Sequence, residues 1–187
     1  MATAVKSYFS STRIAVLALF SALAAVLYIF NFAIPFAFPG FLEFKFADVP
    51  VLIGTFALGP ASGCIIVVMM VLIKLVCVST RTMFVGDFAD IVIGIAFCLP
   101  AGLIYRKNRT FKGAVWGMAA GSAVSVAVSV LANWLVLVPF YVQFMFGGSW
   151  EPLLGMMTPL FPSCTRENFY NFYLWVSVLP FNALRCL

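Results

Sequence analysis

The stretch YRKNRTFK at residues 105–112 places four positive charges in one polar gap of a chain that is otherwise almost continuously apolar. These charges belong to Arg106, Lys107, Arg109 and Lys112. Short loops rich in Lys and Arg stay on the cytoplasmic side of membrane proteins, because their translocation is unfavourable. If this gap faces the cytoplasm, the side of every other loop follows from the number of spans between them.

The composition indicates an integral membrane protein. Of the 187 residues, 64% are hydrophobic and 9% are charged, and the mean hydropathy is +1.11. Soluble domains are about 45–50% apolar and about 25% charged, so this chain cannot present a wetted surface. The apolar runs are continuous rather than alternating, which argues against a β-barrel. The net charge of +5 is concentrated in loops without a basic stripe, so nucleic acid is not an expected partner.

The apolar runs predict a single all-α transmembrane domain over residues 1–187 with six spans, each of which needs roughly 20 residues. Counting from the basic gap places the N-terminus, with Lys6 and Arg13, in the cytoplasm as well. The last span contains Pro180 and has no basic residues after it, so it either kinks there or is truncated; we favour a truncated sixth helix. The predicted spans cover about 14–32, 49–58, 61–78, 88–105, 113–139 and the residues from 169 onward.

Polar side chains inside these spans are costly in lipid and are therefore the first candidates for function. Asn133 lies in the outer half of span five. Asn182 and Arg185 are three residues apart in span six and share one helix face. We expect the two carboxamides and the guanidinium group to line one cavity near the outer leaflet. A planar ligand in this cavity would supply their hydrogen-bonding partners. Lys74 either snorkels or faces a site, and Asp87 either caps span four or faces a site.

Aromatic side chains crowd the predicted outer loops and span ends. They indicate an interfacial belt or, for a few of them, a stacking surface for a flat heterocycle. Representative members are Phe38, Phe41, Phe44, Trp134, Tyr141 and Tyr173.

Small residues recur in span one at intervals of four. Ala18 and Ala22 form one such pair, and Ser21 and Ala25 form another. Small residues let a second helix approach closely in lipid. That second helix either belongs to this chain or is supplied by a partner.

Several classes of chemistry lack their usual residues. The chain has no histidine, and its five cysteines show no CxxC spacing, so zinc, haem and iron–sulfur sites lack their usual ligands. A phosphate-binding loop of the GxxxxGK[ST] type is absent, as are HExxH and GxSxG. We therefore expect that the chain is not an enzyme. Any energy for transport has to come from a partner or an ion gradient.

The stretch FLEFKFADVPVLIGTFALGPASG at 41–63 resembles the second-helix segment of riboflavin-specific S components of energy-coupling factor (ECF) transporters. Arg185 stands where that family usually has lysine, and Asp90 replaces a common asparagine. The matching residues in this stretch are Phe46, Ala47, Asp48, Pro50, Leu58, Gly59 and Pro60. Further similar segments are LIK at 72–74, GDFADIVIG at 86–94, LPAGLIYRK at 99–107, VLANWLVLVPFY at 130–141 and LPFNALR at 179–185.

The resemblance implies a subunit of a prokaryotic cell membrane that captures riboflavin from outside for ATP-driven uptake. Riboflavin would be the transported ligand, with no cofactor, and the partners would be a transmembrane coupling subunit and two ATPase subunits. The implied substrate contacts are Asn133, Asn182, Arg185, Phe41, Glu43, Lys45, Asp87 and Trp134. The implied surface for the coupling subunit contains Ala18, Ala22 and Ala25.

Other functions stay open at this point. S components for other vitamins share the fold, so the ligand is less specific than the family. A stand-alone secondary transporter is a second alternative, although residues 1–90 and 91–187 show no duplication. A membrane enzyme is a third, and the absence of histidine argues against it.

Overall fold

The chain folds into helices joined by short loops and one small β-ribbon. The computed structural model describes residues 10–33, 37–39, 42–80 and 82–185. The ribbon pairs β1 (Asn31–Ala33) with β2 (Glu43–Lys45) in antiparallel register, with Asn31 opposite Lys45. The helices are α1 (Ser11–Ile29), α2 (Asp48–Leu58), α3 (Pro60–Cys77), α4 (Val85–Lys107), α5 (Phe111–Met145), α6 (Glu151–Met157) and α7, which joins the π-helical Asn171–Val178 to the α-helical Leu179–Arg185.

Four helices within the described ranges, α1, α3, α4 and α5, are long and apolar enough to cross a bilayer. Helix α2 is apolar but has only 11 residues, fewer than the roughly 20 that a full crossing needs. The α-helical part of α7 has 7 residues and follows a π-helical stretch of 8. The structure thus confirms a helical membrane fold, whereas the six-span count and the side of the N-terminus stay predictions.

The helices run between two ends of opposite character. Arg13, the turn at Gly59 and the loop at Arg109 line a recess at one end, here named the basic end. Tyr28 and Asp87 line a cavity at the other, here named the cavity end. Helices α1, α3 and α5 therefore run from the basic end towards the cavity end, and α2 and α4 run back.

The backbones of helices α4 and α5 approach each other closely. A Cβ atom placed on Gly117 would lie 2.7 Å from the carbonyl oxygen of Ala101, and one placed on Gly121 would collide with the carbonyl of Phe97. Small residues permit this close approach in a membrane protein. The α5 residues buried along this line, spaced four apart, are Gly113, Gly117, Gly121, Ser125 and Ser129.

The small residues of α1 divide between two faces. Ala18 and Ala22 are exposed, beside Leu19, which is 67% exposed. Ser21 and Ala25 are buried, and Ala25 is only 1% exposed in the core. The prediction that Ala25 belongs to the partner surface is therefore wrong, because this side chain packs in the core of the chain.

Helices α5 and α7 widen into π-helical turns just before a proline. In α5 the stretch Asn133–Leu137 precedes Pro139, and in α7 the stretch Asn171–Val178 precedes Pro180. Proline lacks an amide donor and its ring clashes with the carbonyl four residues earlier, so the preceding turn is the part of the helix that adjusts. π-Helical turns are frequent at functional sites, and these two carry Asn133 and Tyr173.

We expect Gly117→Ala to destabilise the protein, because the new methyl group would force α4 and α5 apart. Overpacking of this kind costs about 1–3 kcal/mol, which outweighs the gain in helix propensity. Thermal unfolding in detergent micelles measures the effect. The matched control is Gly155→Ala in α6, where a Cβ atom meets nothing within 4 Å. Equal melting temperatures for the two variants would contradict the close approach of α4 and α5.

Candidate functional site

A cavity of about 610 Å³ occupies the cavity end. Its walls come from the end of α1, strand β2, the end of α3, the start of α4 and parts of α5, α6 and α7. Pockets that bind small organic molecules have volumes of about 300–1,000 Å³. The cavity therefore has the size of a ligand site, and it is assembled from segments distributed along almost the whole chain.

Most of the residues selected from the sequence meet at this cavity. Trp134 does not line it and is 49% exposed, as suits a side chain facing lipid. Phe41 lies outside the described residues. The selected residues that line the cavity are Glu43, Lys45, Asp87, Asn133, Asn182 and Arg185.

Lys45 and Asp90 form an ion pair that ties strand β2 to helix α4. The Lys45 Nζ atom lies 2.6 Å from Oδ2 of Asp90, and the hydroxyl of Tyr28 donates to the same carboxylate oxygen. The ammonium group also lies 4.1 Å from the centroid of the Tyr28 ring, within the range of a cation–π interaction. Three segments that are distant in sequence are thus joined at one wall of the cavity.

Lys74 and Asp87 form a second ion pair, between α3 and α4. The Lys74 Nζ atom lies 2.6 Å from Oδ1 of Asp87, and the Thr80 hydroxyl donates to Oδ2 over 2.7 Å. Asp87 is only 4% exposed, and burial of a carboxylate is costly unless it is paired. Of the two alternatives for Lys74, snorkelling is wrong, because its ammonium group is held inside the protein.

Arg185 is bound to Asp48 at the start of α2. Its Nε atom donates to Oδ2 over 2.7 Å and its Nη2 atom donates to Oδ1 over 3.1 Å. This two-point contact matches the planar fork of the guanidinium group to a carboxylate. The expectation that a guest satisfies the charge of Arg185 is therefore corrected, since Asp48 already compensates it.

The two carboxamides are oriented by their own helices. Asn133 donates through Nδ2 to the carbonyl of Ser129 over 2.9 Å, and its Oδ1 accepts from the hydroxyl of Tyr173. Asn182 donates through Nδ2 to the carbonyl of Val178 over 2.8 Å. Both side chains are buried and both line the cavity. They hold polar groups at fixed places in walls that are otherwise largely apolar.

Aromatic rings supply much of the remaining lining. Phe181 packs against Phe44, with ring centroids 4.5 Å apart, and against Phe38 at 5.4 Å. Flat rings beside fixed amides suit a planar heterocycle with a polar edge. The aromatic residues that line the cavity are Tyr28, Tyr141, Phe146, Tyr173 and Phe181.

Some lining residues were not selected from the sequence. Tyr28 and Asn31 lie where α1 ends and the ribbon begins, and Ser129 lies on α5. Ser129 could have been found, because it precedes Asn133 by four residues and so shares its helix face. Tyr28 carried no such signal, since its contact with Asp90 spans 62 positions.

The described residues contain no group of three or more His, Cys, Asp or Glu side chains that could hold a metal ion. The sulfur atoms of Cys64 and Cys98 lie 4.0 Å apart between α3 and α4, away from the cavity lining. The polar groups at the cavity include amides, hydroxyls and the members of three ion pairs, which can form hydrogen bonds with a ligand.

Comparison with known proteins gives consistent matches. Residues 12–187 match the family described as ECF transporter, substrate-specific component. The chain is 34% identical over 129 residues to riboflavin transporter RibU of Staphylococcus aureus, covering 69% of this chain and 67% of the relative. It is 28% identical over 134 residues to riboflavin transporter FmnP of Bacillus subtilis, covering 71% and 70%.

A solved structure is also similar. The fold is similar, with a TM-score of 0.68 and 28% identity, to a chain described under "Structure and mechanism of the S component of a bacterial ECF transporter", covering 94% of this chain and 86% of that one. The family match extends over every described residue that lines the cavity, and the chain therefore belongs to the family of substrate-specific components of ECF transporters.

Proposed function

We propose that this chain is the membrane subunit that captures riboflavin from outside the cell for uptake by an ECF transporter. The observation that carries the proposal is the 610 Å³ cavity, where aromatic rings surround two buried carboxamides. Relatives that match about 70% of the chain are named riboflavin transporters. Riboflavin is the transported ligand here, and no cofactor is proposed.

The chemistry of riboflavin suits this lining. Its isoalloxazine ring is flat and has one edge of hydrogen-bond donors and acceptors, and its ribityl chain carries hydroxyl groups. We place the ring among Tyr28, Tyr141 and Phe181, and its polar edge at Asn133 and Asn182. A buried amide that loses a matched partner costs about 1–3 kcal/mol, so these two side chains select against ligands without such an edge.

Arg185, Lys45 and Asp87 contribute as parts of ion pairs. Each lines the cavity while bound to an oppositely charged partner. A paired group presents local polarity to a neutral ligand without leaving a net charge in the apolar end. Glu43 lines the same wall from strand β2, where the ribbon covers the cavity.

The chain is a multi-pass protein of the bacterial plasma membrane, and we propose that the cavity end faces outside. Arg13, Arg106 and Arg109 line the recess at the basic end, and basic loops favour the cytoplasm. The N-terminus then lies inside. In this proposal α2 and α7 are two further membrane segments, which brings the total to six. Helix α7 forms part of the cavity wall on the outer side.

The proposed partners are a transmembrane coupling subunit and two ATPase subunits. No phosphate-binding loop is present in the sequence, so ATP hydrolysis has to occur on another chain. Ala18 and Ala22 offer a smooth exposed strip on α1, and small residues favour close helix contacts in lipid. We place the contact with the coupling subunit there.

Quenching of riboflavin fluorescence tests the ligand assignment. We expect the purified wild-type protein to bind riboflavin, and Asn133→Ala and Asn182→Ala each to weaken binding by about 1–3 kcal/mol, because each removes a polar partner inside the cavity. The measurement is a titration of riboflavin with protein in detergent, fitted for the dissociation constant.

The matched control is Asn171→Ala. Asn171 is exposed on α7 and does not line the cavity, so this variant should bind as the wild type does. Absence of riboflavin binding at micromolar concentration would contradict the ligand assignment. Wild-type affinity in both cavity variants would contradict the placement of the polar edge.

Labelling with a membrane-impermeant maleimide tests the orientation. In a background without native cysteines, we expect Ser149→Cys to be labelled in intact spheroplasts and Lys107→Cys only after lysis, because the two exposed positions lie beyond opposite ends of the helices. Both variants should bind riboflavin normally. The reverse labelling pattern would contradict an outward-facing cavity.

A further inference from the structure

A second recess lies at the basic end of the molecule. It has a volume of about 430 Å³ and is formed by the start of α1, the turn between α2 and α3, and the end of α4 with the loop that follows. The cationic residues in its lining are Arg13, Arg106 and Arg109. The recess is separated from the riboflavin cavity by the length of the helices.

Arg13 has a fixed position at the edge of this recess. Its Nη2 atom donates to the carbonyl of Leu58 and, over 3.0 Å, to the hydroxyl of Ser62. The guanidinium group therefore bridges α1 to the turn between α2 and α3. An apolar wall lies beside it, where the rings of Phe56 and Tyr105 pack with centroids 4.6 Å apart. The recess thus combines cationic groups with an apolar surface.

Within the described ranges, no acidic side chain lines the recess beside Arg106 and Arg109. All acidic residues of the sequence lie in segments of the cavity end, at Glu43, Asp48, Asp87, Asp90, Glu151 and Glu167. The ion pairs found in the described part of the chain at Lys45, Lys74 and Arg185 all belong to the cavity. The positive charges of Arg106 and Arg109 are therefore available to an anion from outside the chain.

We propose that this recess binds the phosphate group of an anionic phospholipid. Guanidinium groups bind phosphate oxygens with two parallel hydrogen bonds, and several of them face one space here. The recess lies at the ends of membrane helices, at the depth of lipid headgroups. Basic pockets between helices on the cytoplasmic side are a recognised form of headgroup site. The apolar wall of Phe56 and Tyr105 suits the glycerol and upper acyl carbons.

Assignment to the inner leaflet follows from the proposed orientation, whereas the lipid chemistry does not depend on it. Arg106 extends from the last turn of α4, Arg109 from the loop that follows, and Arg13 from α1. A headgroup held between them links the start of α1 to the end of α4. The lipid would in this way stabilise the basic end by joining two of its segments, as the ion pairs join segments at the cavity.

Native mass spectrometry with added phosphatidylglycerol tests the proposal. We expect the wild-type protein to retain one lipid, and the variant R106Q/R109Q to bind it at least about tenfold more weakly, since each basic residue near a membrane surface contributes about 1 kcal/mol. The matched control is K107Q/K112Q, which removes the same charge from the same loop at exposed positions outside the recess. This control should keep the lipid.

Each alternative outcome is distinct. Equal losses in both double variants, or no loss in either, would overturn the site. Equally tight retention of phosphatidylcholine would overturn the requirement for an anionic lipid. Inorganic phosphate that binds the wild-type protein in phosphatidylcholine nanodiscs, with the same dependence on Arg106 and Arg109, would assign the recess to a soluble anion and overturn the lipid assignment. Riboflavin titration of both variants checks that the distant cavity is still folded.

Discussion

Compensation of charge inside an apolar end is the constraint on which this structure depends. An isolated ion taken out of water costs far more free energy than a folded domain can offset, unless an opposite charge and hydrogen bonds accompany it. Here Lys45 pairs with Asp90, Lys74 with Asp87, and Arg185 with Asp48. These pairs join β2 to α4, α3 to α4, and α7 to α2. The need to pair charges therefore brings together segments that form the cavity walls.

The two ends of the molecule differ in the arrangement of their charged side chains. At the cavity end three ion pairs compensate three basic and three acidic side chains, which suits an uncharged flat ligand. At the basic end Arg13, Arg106 and Arg109 face a recess without carboxylates in the described lining. The same asymmetry favours one orientation in the membrane. The proposed topology, ligand capture and lipid contact would consequently share one origin in the distribution of charge along the sequence.

Much of the site could be predicted because polar residues in apolar spans are rare. That rule alone selected Asn133, Asn182 and Arg185, and all three line one cavity. Trp134 was included through the aromatic pattern and the family resemblance, and neither takes account of the different directions in which neighbouring helix positions point. Ala25 was assigned to a partner surface, since a pattern of small residues does not show which face the rest of the chain covers.

The pairing of the charges could not be predicted from the sequence. Asp48 and Arg185 are 137 positions apart, and no local pattern connects residues at that distance. The π-helical turns were also missed, because Pro139 and Pro180 indicate a disturbance without its form. The family resemblance drew attention to Asp48, while its physical role emerged only with the fold: it balances the cation that had been assigned to the ligand.

We infer that compensated charges hold the cavity in the shape that riboflavin requires. A double-mutant cycle on Asp48 and Arg185, read out as the riboflavin dissociation constant, tests it most directly. We expect Asp48→Asn and Arg185→Gln each to weaken riboflavin binding, and the doubly neutral variant to lose less binding free energy than the sum of the two, with a coupling of about 0.5–3 kcal/mol. Strictly additive losses would contradict it, because the two residues would then act on riboflavin independently.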